Sequence, residues 1–331
     1  MKNQIFIFLS LYGLLSLSLS ASPSLQTKKY GRIPDEYEAS GGHSLGFSHG
    51  GMAASSDTGS IRNNPAMLAV EKKYQMTAAY HWPTFGREYY ELGVIDSKTS
   101  PVAAGMSLVS SRDEFLDWET QKNTEQKKNA YYDSSTKRRI SAAFAQIFSN
   151  VAVGIGAQYL ETSPIKDNSK ITAVTMNMGL ASLLTPQLRV ALSIENLNNN
   201  KIKDFAPKSY RAAFAYTMWQ GRVTLHGDYK QRERVAKEKD IFDENTDEPI
   251  ISDSLNTSEK MLVGSFSIQV QDLLRIIGGY GQAFDNSKRK TLSGGLALIN
   301  KNVALSYSIY RPYLSEDKYH QGVNLAYNIQ L

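Results

Sequence analysis

The sequence predicts an all-β protein: a transmembrane antiparallel β-barrel of about 14 strands, exported from the cytoplasm and carrying an N-terminal plug (hatch) segment. Three observations carry that reading. An export signal opens the chain, short segments alternate apolar and polar residues from about residue 74 onward, and the links between those segments alternate short and long. After the N-terminus no stretch reaches the roughly 18–20 consecutive apolar residues that a membrane helix needs, which excludes a helical membrane protein.

Lys2 supplies a positive first region, Ile5 to Leu19 a short apolar run, and Ser18-Leu19-Ser20-Ala21 the small residues of a cut after Ser20. Residues 1–20 are therefore expected to be a signal peptide, 21–73 a periplasmic lead and plug, and 74–331 the barrel. The chain has no cysteine. In an oxidising compartment its stability must then come from something other than disulfides, and closed-barrel hydrogen bonding is one such source.

The segment ahead of the barrel differs in composition. It reads GFSHGGMAASSDTGSIRNNPAMLA, rich in glycine, alanine and serine, and small residues allow backbones to pack closely. The plug motif is Asp57, Asn63, Asn64, Pro65 and Ala66. Asp57 suits a local turn onto the amides that follow it. Asn64 is placed to cap a helix whose first position is Pro65, with Ala66 to Ala69 forming one or two turns. A helix start of this kind, directly before the first strand, favours a compact plug over a flexible tail.

Period-two alternation then places fourteen strands, near 74–82, 88–97, 101–111, 137–149, 151–161, 170–183, 187–196, 208–219, 221–231, 259–270, 273–284, 289–299, 303–311 and 318–331. In 187–195, Leu188, Val190, Leu192 and Ile194 share one face, opposite Gln187, Arg189, Ala191, Ser193 and Glu195. A slip of one residue would exchange the faces, so register is strongly specified. Most segments run nine to fourteen residues, long for a soluble protein and suited to tilted membrane strands.

A soluble sandwich also alternates, so the links decide between the two. Those after even-numbered strands are short: Lys98–Ser100, Asn150, Leu184–Pro186, Gln220, Gln271–Asp272 and Asn300–Asn302. The long ones, Arg112–Thr136, Leu197–Pro207 and Arg232–Ser258, all follow odd-numbered strands. Short turns on one side and long loops on the other mark outer-membrane barrels, with the short side in the periplasm. Aromatic residues near strand ends, among them Trp82, Phe148, Tyr159, Trp219, Tyr229, Phe284 and Tyr310, fit interfacial girdles. With lipid on the apolar face, Arg189, Glu195, Arg211, Arg222, His226, Asp228 and Arg275 are expected to face the lumen. Gly105 in the third strand is a candidate kink, with ordinary strand packing as the plainer reading.

The residues offer little chemistry of reaction. No nucleophile-elbow, zincin, phosphate-loop or zinc-ligand spacing occurs, which points away from an enzyme and from a bound cofactor. His43 and His49 share the plug segment without further ligands, so no metal site is expected. His226 and Asp228 share a strand face, but alternation alone would produce that pair. The formal charge of +5 is dispersed, and no nucleic-acid motif accompanies it.

The stretch GGMAASSDTGSIRNNPAMLA resembles the N-terminal signature of the FadL superfamily of outer-membrane proteins. ALSIENLNNNKIKDFAPKSYRAAFAY, through Asn196, Leu197, Pro207 and Arg211, resembles its PorV-like branch. The resemblance covers about 40–82 and 187–230. It implies a fourteen-stranded barrel with an N-terminal hatch in the outer membrane of a Gram-negative-type bacterium. It further implies passive uptake of hydrophobic small molecules such as long-chain fatty acids. The alternative it implies is an adaptor that binds exported proteins through its outer loops, Arg112–Thr136 and Arg232–Ser258. Further expected partners are outer-membrane lipid and the barrel-assembly machinery, the latter reading the alternating terminus Tyr327, Ile329, Leu331. That terminus departs from the usual aromatic last residue.

Overall fold

The computed structural model describes residues 46–48, 50–54, 57–83, 87–113, 134–164, 171–198, 208–235, 256–284, 290–311 and 319–329. The expected signal peptide, His43, His49, most of the three long links and Leu331 lie outside these residues.

Fourteen antiparallel strands form a closed barrel in which each strand pairs with its neighbours in sequence. They are β1 (Tyr74–Pro83), β2 (Arg87–Asp96), β3 (Ala103–Asp113), β4 (Ser134–Phe148), β5 (Val151–Pro164), β6 (Ile171–Leu183) and β7 (Leu188–Glu195). The second half continues with β8 (Ser209–Met218), β9 (Val223–Val235), β10 (Asn256–Val270), β11 (Leu274–Ala283), β12 (Lys290–Ile299), β13 (Val303–Arg311) and β14 (His320–Ile329). Closure comes from β1 against β14, in unbroken register from Tyr74 with Ile329 to Pro83 with His320. No sheet edge is left, so every strand has a hydrogen-bonding partner on both sides, as hydrocarbon demands.

The alternation sorts side chains as the sequence implied. On β7, Ala191, Ser193 and Glu195 are buried while Leu192 is 53% exposed. Around the barrel, Met76, Leu92, Met106, Phe144, Ile155, Met178, Phe214, Leu262, Leu292 and Leu325 are all exposed on the outer face. A soluble monomer rarely exposes contiguous apolar patches beyond a few hundred Å². A ring of such residues on fourteen strands requires lipid around it. The chain is a transmembrane β-barrel.

Several elements differ from the sequence reading. β4, β5, β9 and β10 run three or four residues further on the long-loop side, through SSTKRR, ETSP, QRERV and NTSEK. Backbone pairing continues there past the segments in which apolar and polar residues alternate, so the pattern that signals a strand is lost. Tyr310, expected in an aromatic girdle, points inward: it is 1% exposed and shares its side of β13 with the buried Ser306 and Ser308. The outward row of that strand is Val303, Leu305 and Ile309. Finally, the link between β8 and β9 takes in Trp219 to Arg222 rather than Gln220 alone. Trp219, Gln220 and Gly221 all hold left-handed φ values of 51°, 56° and 88°, which pushes the first ladder residue to Val223.

An arginine placed at Leu192 should destabilise the barrel by about 2–4 kcal/mol, because it forces a cation to the middle of the bilayer. Lysine at Gln146, near the short-turn rim, should cost about 0–1 kcal/mol. Denaturant titration of the protein refolded into lipid vesicles measures both.

Candidate functional site: the hatch inside the barrel

Among the described residues, two short helices lie directly before β1. The first, α1, is Ser60–Asn63, and a 3-10 helix, Pro65–Ala69, follows it. Asn64 joins them in extended backbone, and its Oδ1 accepts the Ala66 amide at 3.2 Å. Pro65 at the first helical position lacks only an N–H that would have had no partner there. Upstream, Asp57 Oδ1 accepts the Gly59 amide at 3.0 Å and closes a local turn. Asn63 is half-buried, and its amide reaches back to the Gly59 carbonyl.

This segment lies inside the barrel. The 3-10 helix packs on β4, β5 and β6. Ile61, Ala66, Met67 and Leu68 are fully buried, in one apolar cluster with Ala103, Ala143, Ala145, Ala152, Ala181, Ala191, Ala213 and Ala215 from the inner wall. Alanine on the wall leaves room for the hatch. At Gly154 the approach is closer still: an added Cβ would lie 2.3 Å from Ala66 N and 2.4 Å from the Pro65 carbonyl carbon. Only glycine fits beneath that helix. Gly105 serves the same end. It pairs with Ile95 and Ala143 in unbroken register, and an added Cβ would meet Ile61 at 2.9 Å. The candidate kink is thus a seat for Ile61, and β3 stays regular there.

Polar wall residues hold what the alanines do not. Glu195 on β7 pairs with Arg211 Nε of β8 at 2.9 Å and with Arg62 Nε of the hatch at 3.7 Å; all three side chains are at least nine-tenths buried. One carboxylate thus ties the hatch to two adjacent strands. Asn177 on β6 donates from Nδ2 to the Arg62 carbonyl at 3.1 Å, while its Oδ1 accepts from the Asn196 amide at 2.9 Å. Asn64 Nδ2 donates to the Leu180 carbonyl at 3.2 Å. Thr58 meets Thr77 of β1 at 2.8 Å. The buried ones, from Asn177 to the Arg62 carbonyl and between Thr58 and Thr77, satisfy polar groups that water does not reach.

Asp228 on β9 accepts the amides of Gly51 at 2.7 Å and Met52 at 3.1 Å. His226, two residues earlier on the same face, meets the Phe47 ring edge-on at 4.9 Å. Arg189 is half-buried and donates from Nη1 to the Ala53 carbonyl at 3.3 Å. Arg275 is half-buried on β11 and donates from Nη2 to Gln269 Oε1 at 3.1 Å, with no hatch contact in that bond. Arg222 differs from expectation: it lies exposed in the lengthened β8–β9 turn, at the rim and not in the lumen. Among the described residues, no group of three histidine, cysteine or acidic side chains is arranged to hold a metal.

Arg62, Asn177, Gly154 and Ser293, whose Oγ donates to the Gly46 carbonyl at 2.8 Å, were not singled out from the sequence. Arg62 carried a usable signal, as the single cation of a small-residue stretch in a barrel with an inward glutamate. The others depend on which strand faces which hatch atom, and the sequence does not carry that information.

The fold is similar to those of several solved structures. The toluene transporter TodX of P. putida superposes with a TM-score of 0.62 at 11% identity, over 92% of this chain and 99% of that one. The toluene transporter TbuX of Ralstonia pickettii gives 0.57 at 11% identity, over 89% and 99%. A FadL homologue of Pseudomonas aeruginosa gives 0.53 at 11% identity, over 88% and 98%. The barrel has the FadL-type fold. No protein-family model and no curated protein sequence matches the chain. At these identities the likeness is one of architecture, and the FadL-type fold here is specified by a largely different set of residues.

Replacing Glu195 with alanine strands Arg62 and Arg211 in a buried site, and should cost about 3–5 kcal/mol. The denaturant midpoint in detergent reads that loss. Gly154→Val should dislodge the 3-10 helix while leaving strand pairing intact. It is read as planar-bilayer conductance above that of the unaltered protein, with the heat-modifiable gel shift of a folded barrel retained.

Proposed function

We propose that this chain is an outer-membrane barrel of a Gram-negative-type bacterium, through which hydrophobic small molecules enter passively. The observation that carries the reading is a lumen occupied by a hatch fastened around the barrel wall. Thr58 and Thr77 tie it to β1, Asn64 to β6, Arg62 to β7 and Asp228 to β9. A general water-filled pore has no use for such a filling. A pathway that admits selected solutes without leaking ions does. The solved structures of the same fold are described as transporters of toluene and channels for monoaromatic hydrocarbons, which supports a hydrophobic ligand here. Long-chain fatty acids are the ligand class that the sequence resemblance adds. By analogy of fold, the transported molecule enters from the long-loop side, and the residues that bear on its passage are those holding the hatch.

A second reading, the adaptor for exported proteins, draws on a different observation. The outer ends of β4 and β9 carry exposed charged residues, among them Arg138 and Glu233, up toward the long links Arg112–Thr136 and Arg232–Ser258. A charged, hydrogen-bonded stem suits recognition of a protein surface better than capture of a greasy solute.

Toluene and a long-chain fatty acid, each titrated against the purified barrel in a non-competing detergent, separate the readings. Uptake predicts saturable binding of at least one of them, weakened when the hatch is dislodged by Gly154→Val. No saturable binding of either, with exported proteins co-purifying only while both long links are intact, would establish the adaptor and remove the transporter.

A further inference from the structure

The outward face of the barrel is not alike all the way round. On β8, β10 and β12, Lys208, Lys260 and Lys290 share their side of the strand with the exposed Tyr210, Leu262 and Leu292, so all three lysines leave the barrel outward. They stand nine or ten residues ahead of the short-turn ends of their strands at Met218, Val270 and Ile299. Ten residues of strand at about 3.4 Å each, inclined near 40°, climb roughly 26 Å. The apolar band of such barrels is about 25 Å tall. The three lysines therefore share one level, at the top of the hydrocarbon, where the headgroups of the outer leaflet begin.

Their surroundings fit an anion with a greasy tail. Just below them the exposed Tyr229 and Tyr280 donate their hydroxyls to Gln231 at 3.2 Å and Gln282 at 3.5 Å. Those glutamines are the cross-strand neighbours of Lys260 and Lys290. Phe284 stands exposed beside Lys260, its amide bonded to the Lys260 carbonyl at 2.8 Å. Arg311 on β13 extends the row, with its guanidinium carbon 5.4 Å from the centre of the Tyr319 ring. Glu233 is exposed on β9 between Lys208 and Lys260, and among the described residues no ion pair joins it to either. This side thus shows four cations and one acid among its described residues. On β4–β6 the same level is neutral: Arg138 pairs with Glu161 at 3.9 Å, and β6 presents Thr172 and Val174.

We propose that the outward face of β8–β12 holds a phosphate-bearing lipid of the outer leaflet. Its phosphate lies between Lys260 and a neighbouring lysine, and its acyl chains run down over Leu262, Phe266 and Leu292. The order of the wall from top to bottom, cation, then tyrosine and glutamine, then aliphatic and aromatic side chains, repeats the order of such a lipid from phosphate through linker to hydrocarbon. Lysine suits the contact, because a compact charge on a flexible stem can follow a headgroup that itself moves. The site is on the outer wall and is independent of what the lumen admits.

The purified barrel in non-ionic detergent is titrated with phosphatidic acid carried in the same micelles, and bound lipid is counted by native mass spectrometry. Lys260→Gln should weaken binding about fivefold, and the triple variant Lys208→Gln, Lys260→Gln, Lys290→Gln about a hundredfold. Phosphatidylcholine, whose phosphate carries its own cation, should bind more weakly and respond to none of these changes. Arg138→Gln, on the neutral side, should leave the binding of phosphatidic acid as it was. Equal binding by the unaltered protein and the triple variant overturns the proposal. So does an equal loss from Arg138→Gln, which would make net charge the cause, and so does displacement of the lipid by millimolar inorganic phosphate, which would make phosphate alone the ligand. Should the triple variant fail to assemble, the three single variants decide by the same comparison.

Discussion

The constraint beneath this structure is that hydrocarbon offers no hydrogen bonds. Every amide and carbonyl crossing it must find a partner in the chain, and for extended backbone the way to do so is to pair β1 with β14. Closure fixes the alternation, because each strand must then show one face to lipid and the other to a space bounded by its neighbours. It also explains why the chain can fold without a large apolar interior. Lipid covers the leucine, methionine and phenylalanine face, and the interior is released to serine, alanine, glycine and charge.

That release creates the hatch problem. An enclosed space lined by small residues would be a water channel unless something filled it, and the filling must bind a wall with few large side chains. The chain answers with complementary smallness on both sides. Ala66 and Pro65 sit directly on Gly154, and Ile61 sits on Gly105. Where backbone cannot meet backbone, single polar side chains bridge. Glu195 is the clearest of these, buried between Arg211 of the wall and Arg62 of the hatch. Its burial is tolerable because two guanidinium groups face it, and for the same reason removing it is costly.

Much of this was legible in the sequence, for reasons that can be stated. Strand membership and facing follow from a period of two, which survives wherever one face meets lipid, so Leu192 and Glu195 sort correctly. The same signal vanishes above the bilayer, and the outer ends of β4, β5, β9 and β10 were accordingly too short. Local turn chemistry was legible at Asn64-Pro65, since capping depends on neighbours in the chain. It misled at Arg222, because the left-handed run Trp219-Gln220-Gly221 lengthens the link to Trp219–Arg222 where Gln220 alone was expected. What could not be read was any pairing set by barrel register: Arg62 with Glu195, Asn177 with the Arg62 carbonyl, Ser48 with Ser293. These partners lie between 115 and 245 residues apart in the chain.

The extension of β4 bears on how the barrel meets its surroundings. Fifteen residues of strand at about 3.4 Å each span roughly 50 Å, and a tilt near 40° still leaves about 38 Å of height. The apolar band of such barrels is about 25 Å tall. The surplus forms a hydrated parapet on the outer side, built of paired backbone. Anything arriving from outside meets this rampart first, and touches lipid-level wall only after descending past it.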